Sequence, residues 1–389
     1  MSLPHIITKI ARGTAELINP DALEEKLKWS QKHKQPLSIK AGFDPTAPDI
    51  HLGHYVLLKK LRQFQDMGHQ VYFLIGDFTA QVGDPSGRDQ MRPKMDAKQI
   101  AHNAKTYKAQ VFKILDSKKT KVVFNSQWLA KLTAQQVLEL CAHLTVAQML
   151  VRSDFKKRFE EKREISLLEF IYPLLQGYDS VHLKADVELG GSDQKFNLLM
   201  GRQLQEAFGL KPQVVIMTPL LEGTDGLQKM SKSLGNTIGI NEPPKEIFGK
   251  IMSISDTLML RYYELLTDFD LAEIKILHPR EAKLRLASEI VKQFYGSRAA
   301  LAQREHFEKT FSQKQIPDDV EEYHLKTGMA KSLVDILIMT HLVESKNEAR
   351  RLINQGAISH DGNKVESEVW AVQPGILKIG KRRFLKLVA

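Results

Sequence analysis

Cysteine is nearly absent from this chain of 389 residues, in which Cys141 is the only one. A single cysteine excludes an intramolecular disulfide framework and every zinc or iron–sulfur site built from several cysteines, and it is typical of a reducing compartment. Hydrophobic runs of about eighteen residues are also missing, so we expect no transmembrane helix. The first residues lack the apolar segment of a secretory signal, which predicts an intracellular, cytoplasmic protein.

Acidic residues are outnumbered by basic ones, with 46 Asp and Glu against 56 Lys and Arg, and the formal net charge is +10. A basic excess of this size favours a polyanionic partner, although many basic proteins bind none. The hydrophobic share of 42% and the charged share of 26% exclude a disordered or fibrous chain.

Strands and helices alternate in the first part of the chain. A short apolar run precedes a glycine-rich loop, helical spacing of apolar residues begins at Leu52, and a buried type of strand follows, which together predict a βαβ unit. The predicted strands are 37–41, 70–75, 121–124 and 214–217. Residues 1–36 and 166–210 are expected to be helical. The alternation predicts an α/β fold with a parallel sheet that binds ligands at the carboxyl ends of its strands.

The rest of the chain has a different character. Residues 243–310 read as helical and charged. The end combines a capping box at Ser345 with a hairpin signal at Asp361-Gly362, which predicts a small α+β module after a joint near 312–327. The predicted domains are 1–240, with a connective insertion at about 110–160, then 241–320 and 328–389.

A histidine motif, His51-Leu52-Gly53-His54, stands where the helix from Leu52 begins. Histidines three residues apart share one helix face, and a helix N-terminus favours anions. Gly53 has no side chain, so a flat base could approach the backbone. The motif indicates triphosphate binding; the alternative is a pair of surface histidines on an amphipathic helix.

A second motif, Lys229-Met230-Ser231-Lys232-Ser233, lies on a loop between Gly226 and Gly235. Two lysines and two hydroxyls on such a loop suit a mobile phosphate clamp. Alone, the segment is more typical of a solvated basic loop.

Together, the two motifs are typical of class I aminoacyl-tRNA synthetases. Five segments carry a closer resemblance: Gly42-Phe43-Asp44-Pro45-Thr46, Gly83-Asp84-Pro85-Ser86-Gly87, residues 172–179, Gly190-Gly191-Ser192-Asp193-Gln194 and the lysine–serine loop. With them the chain resembles the bacterial tyrosyl-tRNA synthetases over essentially its whole length. The resemblance implies a Rossmann-type parallel-sheet catalytic domain, an α-helical domain near the anticodon and a small C-terminal S-four-like RNA-binding module.

The resemblance also implies the reaction. The carboxylate of tyrosine attacks the α-phosphate of ATP, pyrophosphate leaves, and the tyrosyl group passes to the terminal ribose of tRNA(Tyr). ATP is a substrate carried as its magnesium complex, with no tightly bound cofactor and no protein metal site. The residues implied for catalysis are His51, His54, Thr46, Lys229, Lys232, Ser233 and Arg92. Those implied for ATP binding are His51, Gly53, His54, Asp193 and Lys232.

By the same resemblance, Asp84, Tyr172 and Gln176 hold the ammonium group of tyrosine, and Asp179 accepts a hydrogen bond from its phenol. The complete set implied for tyrosine binding is Asp44, Asp84, Tyr172, Gln176, Asp179, Gln194 and Lys40. The spacing of Tyr172, Gln176 and Asp179 puts them on one helix face, which is also what a buried face without a ligand would show. A buried phenol acceptor would reject phenylalanine, a discrimination for which tyrosyl-tRNA synthetase is the standard worked example.

Lys40 departs from the family pattern, which has a tyrosine here that also contacts the phenol. The lysine could donate to the phenol oxygen, or it could pair with an acid and point away. We interpret the chain as a variant branch of the family.

The C-terminal module carries ten Lys and Arg against six Asp and Glu in residues 328–389. The residues predicted to touch tRNA phosphates are Arg350, Arg351, Lys381, Arg382 and Arg383. A homodimer is implied by the resemblance, with the partly apolar 110–150 region as a candidate interface, and neither DNA nor a membrane is an expected partner.

Two rival functions belong to other classes. A small-molecule nucleotidyltransferase could share the histidine motif, and an RNA-binding scaffold derived from a synthetase could share the fold. The C-terminal module and the Gly190–Gln194 segment oppose the first, and the complete set of motifs opposes the second.

Overall fold

The computed structural model describes residues 3–86, 95–312, 320–325, 332–365, 367–368, 370, 372–380 and 383–388. Two compact units divide the chain, residues 1–303 and residues 304–389. The helices within 241–303 belong to the same unit as the sheet, whereas the sequence predicted a helical domain of its own over 241–320.

The first unit is built on a six-stranded sheet in the order β1-β6-β5-β2-β3-β4. Its strands are β1 (Glu16–Ile18), β2 (Ser38–Phe43), β3 (Gln70–Ile75), β4 (Thr120–Phe124), β5 (Val187–Gly191) and β6 (Val214–Thr218). All neighbours are parallel except β1, which runs antiparallel to β6. The predicted α/β fold with a parallel sheet is therefore confirmed.

Two strands of this sheet were missed by the sequence analysis. β1 lies inside the segment expected to be helical and is only three residues long, too short for a period-2 pattern. β5 lies inside 166–210, the other segment expected to be helical. Four of its five residues are buried, so it shows no alternation, and a strand covered on both faces is hard to distinguish from a buried helix by periodicity.

Helices cover the sheet and extend beyond it. The helices of this unit are α1 (Leu3–Ala11), α2 (Pro20–His33), α3 (Leu52–Asp66), α4 (Thr79–Val82), α5 (Ala97–Val111), α6 (Ser126–Leu129), α7 (Ala134–Cys141), α8 (Val146–Leu150), α9 (Ser153–Glu160), α10 (Leu167–Leu183), α11 (Lys195–Ala207), α12 (Pro244–Ser253), α13 (Asp256–Leu266), α14 (Leu271–Lys275) and α15 (Pro279–Ser312), the last of which crosses into the second unit. Three 3-10 turns accompany them: Ser117–Lys119, Ser192–Gln194 and Lys232–Leu234.

Strand β2 lies at the switch point of the sheet. It pairs with β3 on one side, reached through α3, and with β5 on the other. The register sets Phe43 beside Ile75, so β2 and β3 end at the same level. In an open parallel sheet, the crevice at the carboxyl ends beside such a point is where ligands bind. The loops after β2, β3, β5 and β6 all open there.

The second unit contains α16 (Leu333–Met339) and α17 (Lys346–Asn354) against a five-stranded sheet in the order β7-β11-β10-β8-β9. Its strands are β7 (Glu322–His324), β8 (Ile358–His360), β9 (Asn363–Lys364), β10 (Gly375–Ile379) and β11 (Arg383–Val388). The predicted hairpin joins β8 to β9, with positive φ angles of 45° at Asp361 and 86° at Gly362. β7 lies within the predicted joint and pairs with β11; residues 313–319 of that joint lie outside the described residues.

Helix α17 begins at Lys346 with Ser345 as its N-cap, as predicted. The Ser345 side chain accepts from the Glu348 N–H at 3.2 Å. The Glu348 carboxylate accepts from the N–H of Glu344 at 2.8 Å, one residue before the position that a full capping box uses. Its apolar face joins the core of this unit through Ala349 and Ile353.

Candidate active site

A cavity of about 350 Å³ opens at the carboxyl ends of the central strands. It gathers residues separated by almost 190 positions in the sequence. The predicted site residues that line it are Lys40, Asp44, Thr46, His51, Gly53, His54, Asp84, Tyr172, Gln176, Asp179, Asp193, Gln194 and Lys229. Lys232 and Ser233 stand outside this lining, on the 3-10 turn that follows the lining residue Ser231. Arg92 lies outside the described residues.

Both histidines take part in starting α3. His51 is the N-cap, and its Nδ1 accepts from the N–H of Gly53 at 3.1 Å. His54 Nδ1 accepts in turn from the N–H of His51 at 3.3 Å. A neutral imidazole has one acceptor and one donor nitrogen, so these bonds assign the proton of each ring to Nε2. Each Nε2–H is therefore left as a donor.

The histidines are neutral at physiological pH. Burial lowers the pKa of His51 to about 2, with the neighbouring His54 and Lys232 adding to the effect. Burial, and secondly Lys232, lowers the pKa of His54 to about 4. The two rings therefore act as polar donors that become favourable when negative charge arrives.

Gly53 is required by its close packing against the His51 ring. A Cβ atom built at Gly53 would lie 2.9 Å from two atoms of the His51 ring, a distance that real Cβ atoms do not show. A side chain at this position would therefore push the His51 ring out of its capping position.

The lysine–serine loop is held by carboxylates. Lys232 Nζ lies 2.5 Å from Asp49 Oδ2, and Lys229 Nζ lies 3.8 Å from Asp193 Oδ2. Both lysine side chains remain substantially exposed, at 37% and 50% respectively. Each ammonium group can therefore exchange its carboxylate partner for another anion. Asp49, the partner of Lys232, was not predicted from the sequence.

Polar side chains in the middle of the cavity are bonded to one another. Gln194 Nε2 donates to Asp84 Oδ2 at 2.8 Å, and the Tyr172 hydroxyl donates to Asp44 Oδ2 at 2.9 Å. Asp84 is buried. These side chains come from four different segments, and the sheet brings them to one edge.

Asp179 lines the cavity with only 1% of its surface exposed. Its carboxylate accepts from Trp128 Nε1 at 2.8 Å and from Asn125 Nδ2 at 3.2 Å. Burial raises its pKa to about 7, against the opposing effects of Lys40 and the two hydrogen bonds. The sequence analysis missed both donors because nothing in their local sequence marks a contact made some fifty residues away.

Lys40 adopts the second of the two arrangements left open by the sequence. Its Nζ lies 2.8 Å from Glu188 Oε1, and both side chains are 1% exposed. The pair lines the cavity wall. The partner Glu188 precedes the glycine pair of β5 and was not singled out from the sequence.

Comparison with known proteins agrees with this constellation. A family model described as tRNA synthetases class I (W and Y) matches residues 31–312. A second, described as the tyrosine–tRNA ligase SYY-like C-terminal domain, matches residues 312–384. The chain belongs to the tyrosine–tRNA ligase family.

Individual members of the tyrosine–tRNA ligase family match along their whole length. The tyrosine–tRNA ligase of Desulfotalea psychrophila is 52% identical over 399 residues, which cover 100% of this chain and 98% of that protein. That of Geobacter sulfurreducens is 54% identical over 400 residues, with coverages of 100% and 99%. The crystal structure of tyrosyl-tRNA synthetase from Archaeoglobus fulgidus, complexed with L-tyrosine, is 23% identical and covers 77% of this chain and 100% of that one with a TM-score of 0.63, which shows a shared fold.

The residues predicted to contact tRNA differ in their ion pairs and in their exposure. Arg350 Nε lies 3.0 Å from Glu368 Oε2 in an exposed ion pair, and Arg383 lies 3.7 Å from Glu348. Arg351 is exposed on α17. Lys381 and Arg382 lie outside the described residues.

In the part of the chain that the structure describes, no three His, Cys, Asp or Glu side chains are grouped to hold a metal ion. Every helix within the described ranges is too short or too polar to cross a bilayer.

Proposed function

We propose that this chain activates L-tyrosine with ATP and transfers it to the terminal ribose of tRNA(Tyr). The observation that carries the proposal is one cavity lined by two neutral histidine donors, a lysine of the lysine–serine loop and a buried carboxylate. These groups match the substrates, because the donors and the lysine suit phosphates and the buried carboxylate suits a phenol.

In the first step, a carboxylate oxygen of tyrosine forms a bond to the α-phosphorus of ATP. The bond from that phosphorus to the bridging oxygen breaks, and its electron pair leaves with pyrophosphate. His51 and His54 donate from Nε2 to the phosphate oxygens on which charge grows, with Thr46 beside them. Such donors accelerate the reaction because they are already oriented before the charge develops.

Lys229, Lys232 and Ser233 bind the departing pyrophosphate once the loop releases its carboxylate partners, and Arg92 supports them. Charge-assisted hydrogen bonds of this kind are the stronger ones in proteins. ATP enters as a substrate, with magnesium as its counterion.

Tyrosine lies with its ammonium group near Asp84, Tyr172 and Gln176. Gln194 and Asp193 orient the carboxyl group and the ribose, and Asp44 supports the adenylate. Asp179 accepts from the phenol, so phenylalanine leaves a buried acceptor without its partner.

In the second step, a hydroxyl of the terminal ribose attacks the acyl carbon and AMP leaves. Arg350, Arg351, Lys381, Arg382 and Arg383 supply contacts to tRNA phosphates from the C-terminal module, residues 328–389. We assign the catalytic domain to residues 1–240 and the approach to the anticodon to the segment 241–320. The protein acts in the cytoplasm.

We also infer that the chain forms a homodimer. Large apolar side chains are exposed along the segment from α7 to the start of α10. They are Leu138, Val146, Val151, Phe159 and Leu167, each at least 60% exposed. Large apolar side chains exposed in such number along one segment favour an interface. Light scattering should give twice the monomer mass for the wild type and a monomer for Phe159→Lys; a monomeric wild type would contradict the inference.

The activity is tested by amino-acid-dependent ATP–pyrophosphate exchange with tyrosine, phenylalanine and tryptophan. We expect exchange with tyrosine alone, and its collapse in Lys232→Ala. Exchange with a different amino acid would overturn the substrate. Folded protein that binds RNA but supports no exchange would favour the scaffold function.

A further inference from the structure

The ammonium group of Lys40 has three hydrogen-bond acceptors. They are Glu188 Oε1 at 2.8 Å, Ser180 Oγ at 2.7 Å and the Gln176 carbonyl oxygen at 3.1 Å. A lysine ammonium carries three hydrogens and accepts none. All of its donors are therefore used inside the protein, and none is left for a substrate phenol.

The carboxylate of Glu188 is satisfied in the same way. Its Oε2 accepts from the Ser180 hydroxyl at 2.9 Å and from Gln213 Nε2. Gln213 is itself anchored, because its backbone N–H donates to Gln205 Oε1 at 2.7 Å. The ion pair therefore has one defined geometry.

Helix α11 leaves room for this network at Gly201. A Cβ atom there would lie 2.5 Å from Gln213 Nε2 and 3.2 Å from both Glu188 Oε2 and Ser180 Oγ. Any side chain at position 201 would displace the groups that hold the pair.

A buried ion pair is an inefficient way to stabilise a fold. Removing two charges from water costs free energy that their attraction often does not recover, and apolar residues of similar volume are frequently as stable. Lys40 and Glu188 also line the cavity together with Asp179, and Ser180 follows Asp179 directly in α10. Because the pair lines the same cavity as Asp179, a functional role is favoured over a purely structural one.

We propose that the Lys40–Glu188 pair is a specificity determinant, in which Glu188 holds the Lys40 ammonium as a fixed cation near Asp179 and so keeps that carboxylate ionised to accept from a phenol. The proposal rests on the proposed role of Asp179 in tyrosine binding. Lys40 and Glu188 are then positioning residues that act through Asp179.

The charges around Asp179 agree with this assignment. Lys40, from β2, lowers the pKa of Asp179, and Glu188, from β5, raises it by a smaller amount. From the loop after β2, Asp44 connects to Asp179 through Thr79 of α4 and Asn125, which follows β4. From α10 itself, His182 stacks on Trp128 with ring centroids 4.4 Å apart.

The test is the pH dependence of the KM for tyrosine in pyrophosphate exchange at saturating ATP, from about pH 5.5 to about pH 9. In Lys40→Met, we expect the midpoint of this pH profile to rise by about one pH unit, because the cation that favours the ionised Asp179 is gone. In Glu188→Gln, we expect the midpoint to fall by a smaller amount, because the lysine then faces Asp179 alone and Glu188 has the weaker effect of the two. The double variant should lie between the wild type and Lys40→Met.

Glu169→Gln is the matched control. Glu169 also lies on α10 in a buried ion pair, with Arg158 at 2.7 Å, but it does not line the cavity. It should lose stability and keep the wild-type midpoint. If Lys40→Met does not fold, Glu188→Gln and the double variant still give shifts of opposite sign.

Equal midpoints in the wild type, Glu188→Gln and the double variant would overturn the proposal, even if all variants were less stable. Absence of tyrosine-dependent exchange in the wild type would instead refute the function on which it rests. Unchanged KM for ATP in every variant is expected, because the pair lies at the amino-acid end of the cavity.

Discussion

His51 combines two roles in different atoms of one ring. Nδ1 caps α3, and Nε2 is left as a donor on a ring that lines the cavity. In His51→Asn, the side-chain oxygen can still cap the helix, so we expect nearly wild-type stability but a 10²- to 10³-fold lower rate of adenylate formation, the usual effect of removing one charge-stabilising donor. His51→Ala should also lose about 1 kcal/mol of stability. Single-turnover kinetics and urea unfolding separate the two effects; equal stability of both variants would contradict the capping role.

Asp179 makes both binding and stability depend on pH. Its pKa is raised to about 7, so the KM for tyrosine should fall as the pH rises through about 7, and the profile of Asp179→Asn should be flat. For folding the sign is opposite. A raised carboxyl pKa gives stability that is present below its ordinary value and lost as the pH rises through about 7. The stability deficit of Asp179→Asn should therefore be smaller at pH 8 than at pH 4, as measured by urea unfolding.

Gly201 of α11 allows the helix to pack closely against Gln213 and Glu188, and no sequence motif near it predicts this role. In Gly201→Ala, the new methyl group would meet Gln213 Nε2 at 2.5 Å, and we expect a loss of about 1–3 kcal/mol together with a higher KM for tyrosine. Gly249→Ala is the control, because Gly249 lies in α12 with open space around its Cβ position. That variant should gain up to about 1 kcal/mol from helix propensity. Similar destabilisation of both variants would contradict the close-contact explanation.

Elements with strong local signals were predictable from the sequence. β2, β3 and α3 follow from apolar runs and helical spacing, and the cap at Ser345 follows from its own side chain. β1 was missed because its three residues are too few to show the alternation of buried and exposed side chains that is typical of a strand. The partners of Asp179 and Lys40 were missed because contacts between Trp128 and Asp179, or between Lys40 and Glu188, depend on strand order. Strand order is a property of the folded sheet and cannot be predicted from the local sequence patterns of one chain.

At the scale of the whole molecule, positive charge should govern tRNA binding. In the double variant Arg350→Ala/Arg351→Ala, we expect weaker tRNA binding. The slope of the logarithm of the binding constant against the logarithm of the salt concentration should be shallower, by the amount that about two phosphate contacts contribute. Pyrophosphate exchange should be unchanged because these residues lie in the second unit. Lys28→Ala, an exposed charge on α2 in the first unit, is the control for net charge. Equal losses in both variants would contradict specific contact by α17.

The cap of α3 also limits how this fold can be improved. Serine and aspartate are better helix caps than histidine in general, so a search for stability alone would replace His51. The replacement would strengthen the first turn and remove the Nε2 donor. Selection for activity therefore favours histidine at position 51, whereas selection for stability alone favours serine or aspartate. Variants isolated for heat resistance should keep His51 wherever growth depends on the enzyme.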